Sequence, residues 1–149
     1  MAQPTRRLWC SCVILDYLQG AERADPDCPQ IIESAERGET EIVVSVLAEA
    51  EVAKIDGTDE DEKKIREFFQ RNYIIRVGVD PSVTEAARRL IREHGLRAAD
   101  AIHLATAIVR NVAIMETQDD RILAVGDKEG LVIRKPIYEG QLNLEGSSG

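Results

Sequence analysis

The chain has 149 residues, 44% hydrophobic and 31% charged, a length and balance that suit one compact domain and barely permit two. Its 27 acids against 19 bases, a formal net charge of -8, exclude a simple basic nucleic-acid-binding module. No apolar run approaches the ~20 residues of a bilayer span; the early run at residues 8–15 stops at Asp16, which makes it poor as a signal peptide, and three cysteines build no disulfide framework and point to a reducing, cytoplasmic setting.

Residues 7–13 form an apolar run suited to a buried parallel strand. Residues 14–18 turn helical, and Gly20 ends that helix. Residues 21–27 read as a polar loop and residues 29–37 as a short helix that Gly38 terminates. A β-branched strand at residues 41–44 leads to Ser45, which can cap a helix carrying Val46, Leu47, Ala50 and Ala53 on one face. Asp56-Gly57 is a turn, and Thr58 caps a helix with Asp59, Glu60 and Asp61 in its first turn and lysines after them. That order complements the helix dipole, so the run at residues 59–62 is assigned no chemistry. A strand at residues 73–79 precedes Asp80-Pro81, an N-cap with proline at the first helical position, and a helix that Gly95 stops. A helix at residues 97–109, a strand at 112–116, a short helix at 120–125 and a strand at 131–134 follow. The expected fold is α/β, a three-layer α/β/α sandwich with a mostly parallel central sheet, in a single domain at residues 1–137. The polar tail at residues 138–149 reads as linker or disorder.

Charge is unevenly placed. Residues 33–62 hold 11 acids and 2 bases, and residues 63–110 hold 10 bases and 5 acids. Two solvated helix faces explain this; so does a carboxylate-rich site beside an arginine-rich surface, as a metal-dependent enzyme acting on a polyanion needs.

Sites in parallel sheets form beyond the carboxyl ends of strands. Glu51 lies on the helix after the second strand. Asp100 lies in a helix apolar nearly all round, where an ionised carboxylate is costly unless paired or holding a metal; the alternative is that it N-caps a helix starting at Ala101. Asp119 follows the fourth strand and is either a site acid or a turn and cap residue. Carboxylates without cysteine–histidine clusters favour Mg²⁺ or Mn²⁺, which clamp phosphate oxygens and activate water. His94 stands near a helix end, and His103, on the Asp100 face, reads as a satisfied core histidine.

These pieces resemble the PIN domain family, specifically its VapC-type toxins, over roughly residues 7–135. The helix Asp100-Ala101-Ile102-His103-Leu104-Ala105-Thr106-Ala107 resembles the family helix with its invariant Asp. Val44-Ser45-Val46-Leu47-Ala48-Glu49-Ala50-Glu51 resembles its strand–Ser–helix segment, with the acidic ligand best aligned at Glu51 and Glu49 the weaker option. Thr117-Gln118-Asp119 resembles its Thr-x-Asp turn. One piece departs: Cys10 stands where the family's first strand ends in a metal-binding Asp. A thiol is a poor match for Mg²⁺, and Asp16, six residues on, is not expected to substitute.

The resemblance implies an Mg²⁺- or Mn²⁺-dependent endoribonuclease in which Glu51, Asp100 and Asp119 hold the metal, Cys10 occupies the fourth position, and Ser11 and Thr117 stand beside them. It also implies an RNA substrate, a small antitoxin protein that blocks the site, and a homodimer. Arg88, Arg89, Arg92 and Arg97 either contact an RNA backbone or pair with Glu85 and Glu93 as solvated helix residues. Cys10 leaves open an active enzyme with an altered metal site, an inactive module binding RNA or a partner protein, and a substitution that makes a toxic enzyme tolerable to express. A redox or soft-metal role through Cys10, Cys12 and Cys28 is a weaker alternative. The absence of Gly-x-Gly-x-x-Gly argues against dinucleotide binding, and an Asp inside a buried helix suits a receiver domain poorly.

Overall fold

A computed structural model describes residues 3–20, 25–53 and 57–140. Among the described residues the elements run β1 (Thr5–Trp9), α1 (Ser11–Gln19), α2 (Asp27–Glu36), β2 (Thr40–Ser45), α3 (Val46–Glu51), α4 (Asp59–Phe69), β3 (Ile74–Val77), α5 (Pro81–His94), α6 (Ala98–Val109), β4 (Ile114–Glu116), α7 (Asp120–Leu123) and β5 (Val132–Arg134). The strands form one sheet in the order β3-β2-β1-β4-β5, with every pairing parallel. This is the expected α/β/α sandwich, with a sheet that is wholly rather than mostly parallel.

Alternation along the strands sends side chains to two separate cores, as a period of two requires. Leu8, Val43 and Met115 pack with Val83, Ala87 and Leu90 of α5 and with Ala101, Leu104 and Ala105 of α6. Trp9, Ile42, Val44 and Ile74 pack with Val13 and Ile14 of α1, Ile31 and Ile32 of α2, and Phe68 of α4. The chain builds outward from β1 through β2 to β3 and then crosses to β4 and β5, so the strand order reverses between β1 and β4. A crevice opens at such a switch point, beyond the carboxyl ends of the strands.

Local chemistry sets the helix ends. Asp80 accepts a hydrogen bond from the Val83 amide at 3.0 Å ahead of Pro81. Gly95 closes α5 with φ 68°, the left-handed conformation that glycine adopts without a Cβ penalty. Thr58 and Asp61 form a reciprocal capping box on α4. Ser45 accepts from the Leu47 amide at 3.2 Å and starts α3.

Two local expectations are corrected. The apolar run at residues 7–13 is not one strand: β1 ends at Trp9 and α1 begins at Ser11, with Val13 the residue of its first turn that packs into the core. On α3 the core-facing residues are Ala48 and Val52, whereas Val46, Ala50 and Ala53 are exposed. Both sets keep helical spacing, and an alanine-rich helix of six residues does not choose between them by composition. The predicted loop at 21–27, the Asp56-Gly57 turn and the tail fall partly outside the described residues. Among the described residues, no helix is long and apolar enough to cross a membrane.

An ionic cluster has a fully buried centre, the Arg7–Glu116 pair. Glu116 accepts hydrogen bonds from Arg7 Nη1 at 2.8 Å, Trp9 Nε1 at 2.9 Å and the Ile137 amide at 3.1 Å. Arg134 and Glu139 extend the cluster. It ties β1, β4 and the segment after β5 together.

Candidate metal centre

Three strand ends meet at the switch point. Cys10 follows β1 and occupies the N-cap position of α1, Glu51 ends the helix after β2, and Thr117 to Asp119 follow β4. Helix α6 packs against β2 and β4 and brings Asp100 in its first turn, with His103 one turn further.

Asp100 and Asp119 converge on one cation. The Arg97 guanidinium places Nε 3.2 Å from Asp100 Oδ2 and Nη2 3.4 Å from Asp119 Oδ2. The two carboxylates are 14% and 23% exposed. Arg97 itself holds the N-cap position of α6, so the alternative of Asp100 as that helix's cap is overturned; Asp100 lies inside the first turn. Of the alternatives weighed for Asp119, the turn and cap role is observed. Its Oδ1 accepts from the Arg121 amide at 2.8 Å and caps α7, while Oδ2 faces Arg97. Thr117 Oγ1 fixes the turn by accepting from the Asp119 amide at 3.1 Å.

Glu51 is engaged elsewhere. Its Oε1 lies 2.5 Å from His103 Nε2. The hydrogen bond from His103 holds this carboxyl below the usual range despite partial burial. His103 is buried as expected, but it is not a fully satisfied core histidine, because its Nδ1 has no hydrogen-bond partner among the described residues. Glu49 pairs with Arg76, which leaves Glu51 as the acid of α3 that faces the crevice.

The cysteines differ sharply. Donation from Cys10 to Cys12, together with burial, pushes the Cys10 thiol well above its ordinary value. Cys12 is held down to about 6, first by that hydrogen bond and then by amide donors. The Gln118 amide donates to its sulfur at 3.5 Å, and Thr117 Oγ1 lies 3.6 Å away.

The donor set fits a hard divalent cation at the aspartate pair. One or two carboxylates completed by water is how Mg²⁺ is usually held, and here both aspartates already aim at a shared positive charge. Glu51 and Cys10 do not close a cage around that point. Among the described residues, only Glu93, His94 and Glu129 offer three ligand atoms all within 4.8 Å of one another. Arg89 already neutralises that group, with ion pairs to Glu93 at 2.9 Å and Glu129 at 2.8 Å. A buried neutral thiol at Cys10 adds no ligand for a hard ion. Of the other arginines considered, Arg88 and Arg92 line an open groove on α5 with Glu85 and Glu93.

Sequence reasoning missed two contacts. The bridge from Arg97 to Asp100 has a visible signal in their i, i+3 spacing on a helix. The Glu51–His103 contact joins residues 52 apart and has none.

Comparison with known proteins gives the class. The sequence matches the PIN domain over residues 11–128. The chain therefore belongs to the PIN domain family. No curated protein matches it. Its structure is similar to a toxin–antitoxin complex from Klebsiella pneumoniae, at 19% identity and a TM-score of 0.59, over 79% of this chain and 90% of that one. It is also similar to VapBC2 from Rickettsia felis bound to a DNA fragment from its promoter, at 14% identity and a TM-score of 0.62, over 88% and 98%. A structure from Pyrobaculum aerophilum matches at 15% identity and a TM-score of 0.57, over 97% of both chains. At these identities the likeness is one of fold.

Proposed function

We propose that the chain is a VapC-type toxin ribonuclease that uses Mg²⁺ or Mn²⁺ to cleave RNA phosphodiesters in the cytoplasm, acts as a homodimer and is held in check by a small antitoxin protein. The observation that carries this is the convergence of Asp100 and Asp119, from separate elements, on one cationic point at the strand ends. A divalent cation held there supplies charge stabilisation at the phosphate and an activated water. The chain's own residues do the rest. Thr117 fixes the backbone that presents Asp119, the first turn of α6 presents Asp100, and His103 holds the Glu51 carboxylate. Arg88 and Arg92 offer positive charge for an RNA backbone.

A second reading is favoured by Cys10. With a protonated thiol in place of a carboxylate, the chain keeps the fold as a module that binds RNA or a partner protein without cutting. Cleavage of structured RNA with Mn²⁺, compared among the wild type, Asp100→Asn and Cys10→Asp, separates the two. The nuclease reading expects slow cleavage that Asp100→Asn lowers by at least about a hundredfold, a loss of ~2.7 kcal/mol of transition-state stabilisation. Cleavage that survives Asp100→Asn contradicts it. Cleavage seen only in Cys10→Asp supports the inactive module.

A further inference from the structure

Arg97 is an unusual residue for its position. It occupies the N-cap position of α6, where the helix carries partial positive charge and favours anions, and its side chain makes no cap hydrogen bond. A cation there works against the helix dipole. What the guanidinium does instead is bridge Asp100, three residues on, and Asp119, on the turn after β4. Those two carboxylates are mostly buried and share the one guanidinium. Without a cation between them they repel and raise the cost of folding the strand ends together. Arg97 is 64% exposed, so its side chain can leave for solvent at the cost of only two partly exposed ion pairs.

We infer that Arg97 is a built-in counter-cation for the Asp100–Asp119 pair, holding the metal-free site together until a divalent cation displaces it. The residue is then a positioning and gating group: it stabilises the empty crevice and weakens metal binding by competing for the same oxygens. The inference rests on the assignment of Asp100 and Asp119 as the metal-holding pair.

Titration of the full chain with Mn²⁺ alone, read by electron paramagnetic resonance of the free ion and by thermal melting with and without Mn²⁺, tests it. Arg97→Gln is expected to bind Mn²⁺ roughly threefold to tenfold more tightly than the wild type, the scale of two partly exposed ion pairs. It is also expected to melt lower in chelator and to gain more from Mn²⁺ than the wild type gains. Arg97→Lys, which keeps the charge, is expected to lie near the wild type. Arg66→Gln, which removes an equal charge from the exposed face of α4, is expected to leave affinity unchanged. Equal or weaker Mn²⁺ binding by Arg97→Gln, with binding still lost in Asp100→Asn, overturns the competition while leaving the aspartate pair as the metal site. Binding that persists in Asp100→Asn, or absence of binding in every variant, removes that assignment and the inference with it.

Discussion

Cys10 and Cys12 lie two residues apart at the start of α1, yet their surroundings push them in opposite directions. Cys10 is fully buried and donates, so its thiol stays protonated; Cys12 receives hydrogen bonds and is held at about 6. Burial pushes Cys28 up to about 12. At pH 7 Cys12 is expected to react with iodoacetamide well ahead of the other two, with a rate that rises through about pH 6, as peptide mapping after brief labelling shows. Equal labelling of all three contradicts this. Much of the site is legible residue by residue in the sequence: an acid in an apolar helix and another just past a strand stand out because a buried charge is costly without a partner. The partners themselves are not legible, because Arg97 reaches Asp119 over 22 residues and His103 reaches Glu51 over 52. Such pairs are made by topology.

At the scale of elements, the helix ends are the most readable feature. Asp80-Pro81, Thr58, Ser45 and Gly95 act through their own backbone geometry, so their effect is local and visible in the sequence. The apolar stretch that becomes the end of β1 and the beginning of α1 is not readable in the same way, since a short apolar run suits a buried strand and a buried helix alike. The segment between α7 and β5 is fastened to α5 by Glu129, which meets Arg89 and His94, both at 2.8 Å. Arg89 chiefly, and His94 next, hold the Glu129 carboxyl below its usual range. A depressed folded value means that the stabilisation is complete above the unfolded value of ~4.3 and is lost as pH falls through the lower folded value. Glu129→Gln is therefore expected to cost about 1 kcal/mol at pH 7, discounted for the partly exposed Arg89, and to approach the wild type in acid. Urea denaturation at several pH values measures it; a difference that grows toward acid contradicts it.

Across the whole molecule, the uneven charge gains a structural meaning. The acidic stretch at residues 33–62 supplies parts of α2 and α4 over one core, and the basic stretch at 63–110 includes α5 and α6 over the other. The sandwich itself was legible from the alternation of strands and helices, since a parallel sheet needs a crossover between strands. The strand order was not, and that order puts β1 beside β4 and creates the crevice. The buried Arg7–Glu116 cluster holds these strands to the segment after β5. Glu116→Ala removes the fully buried partner of Arg7, leaving it the partly exposed Glu139 and the Ile137 carbonyl, and is expected to cost roughly 3 kcal/mol, seen as a lower urea midpoint; a loss below ~1 kcal/mol contradicts a structural role for the cluster. The most direct measurement of the metal centre is anomalous diffraction at the manganese edge from crystals of the full chain soaked in Mn²⁺. A peak between the Asp100 and Asp119 carboxylates, with Arg97 moved away, is the expected result. A peak only at Glu93, His94 and Glu129, or no peak beside the two aspartates, contradicts it.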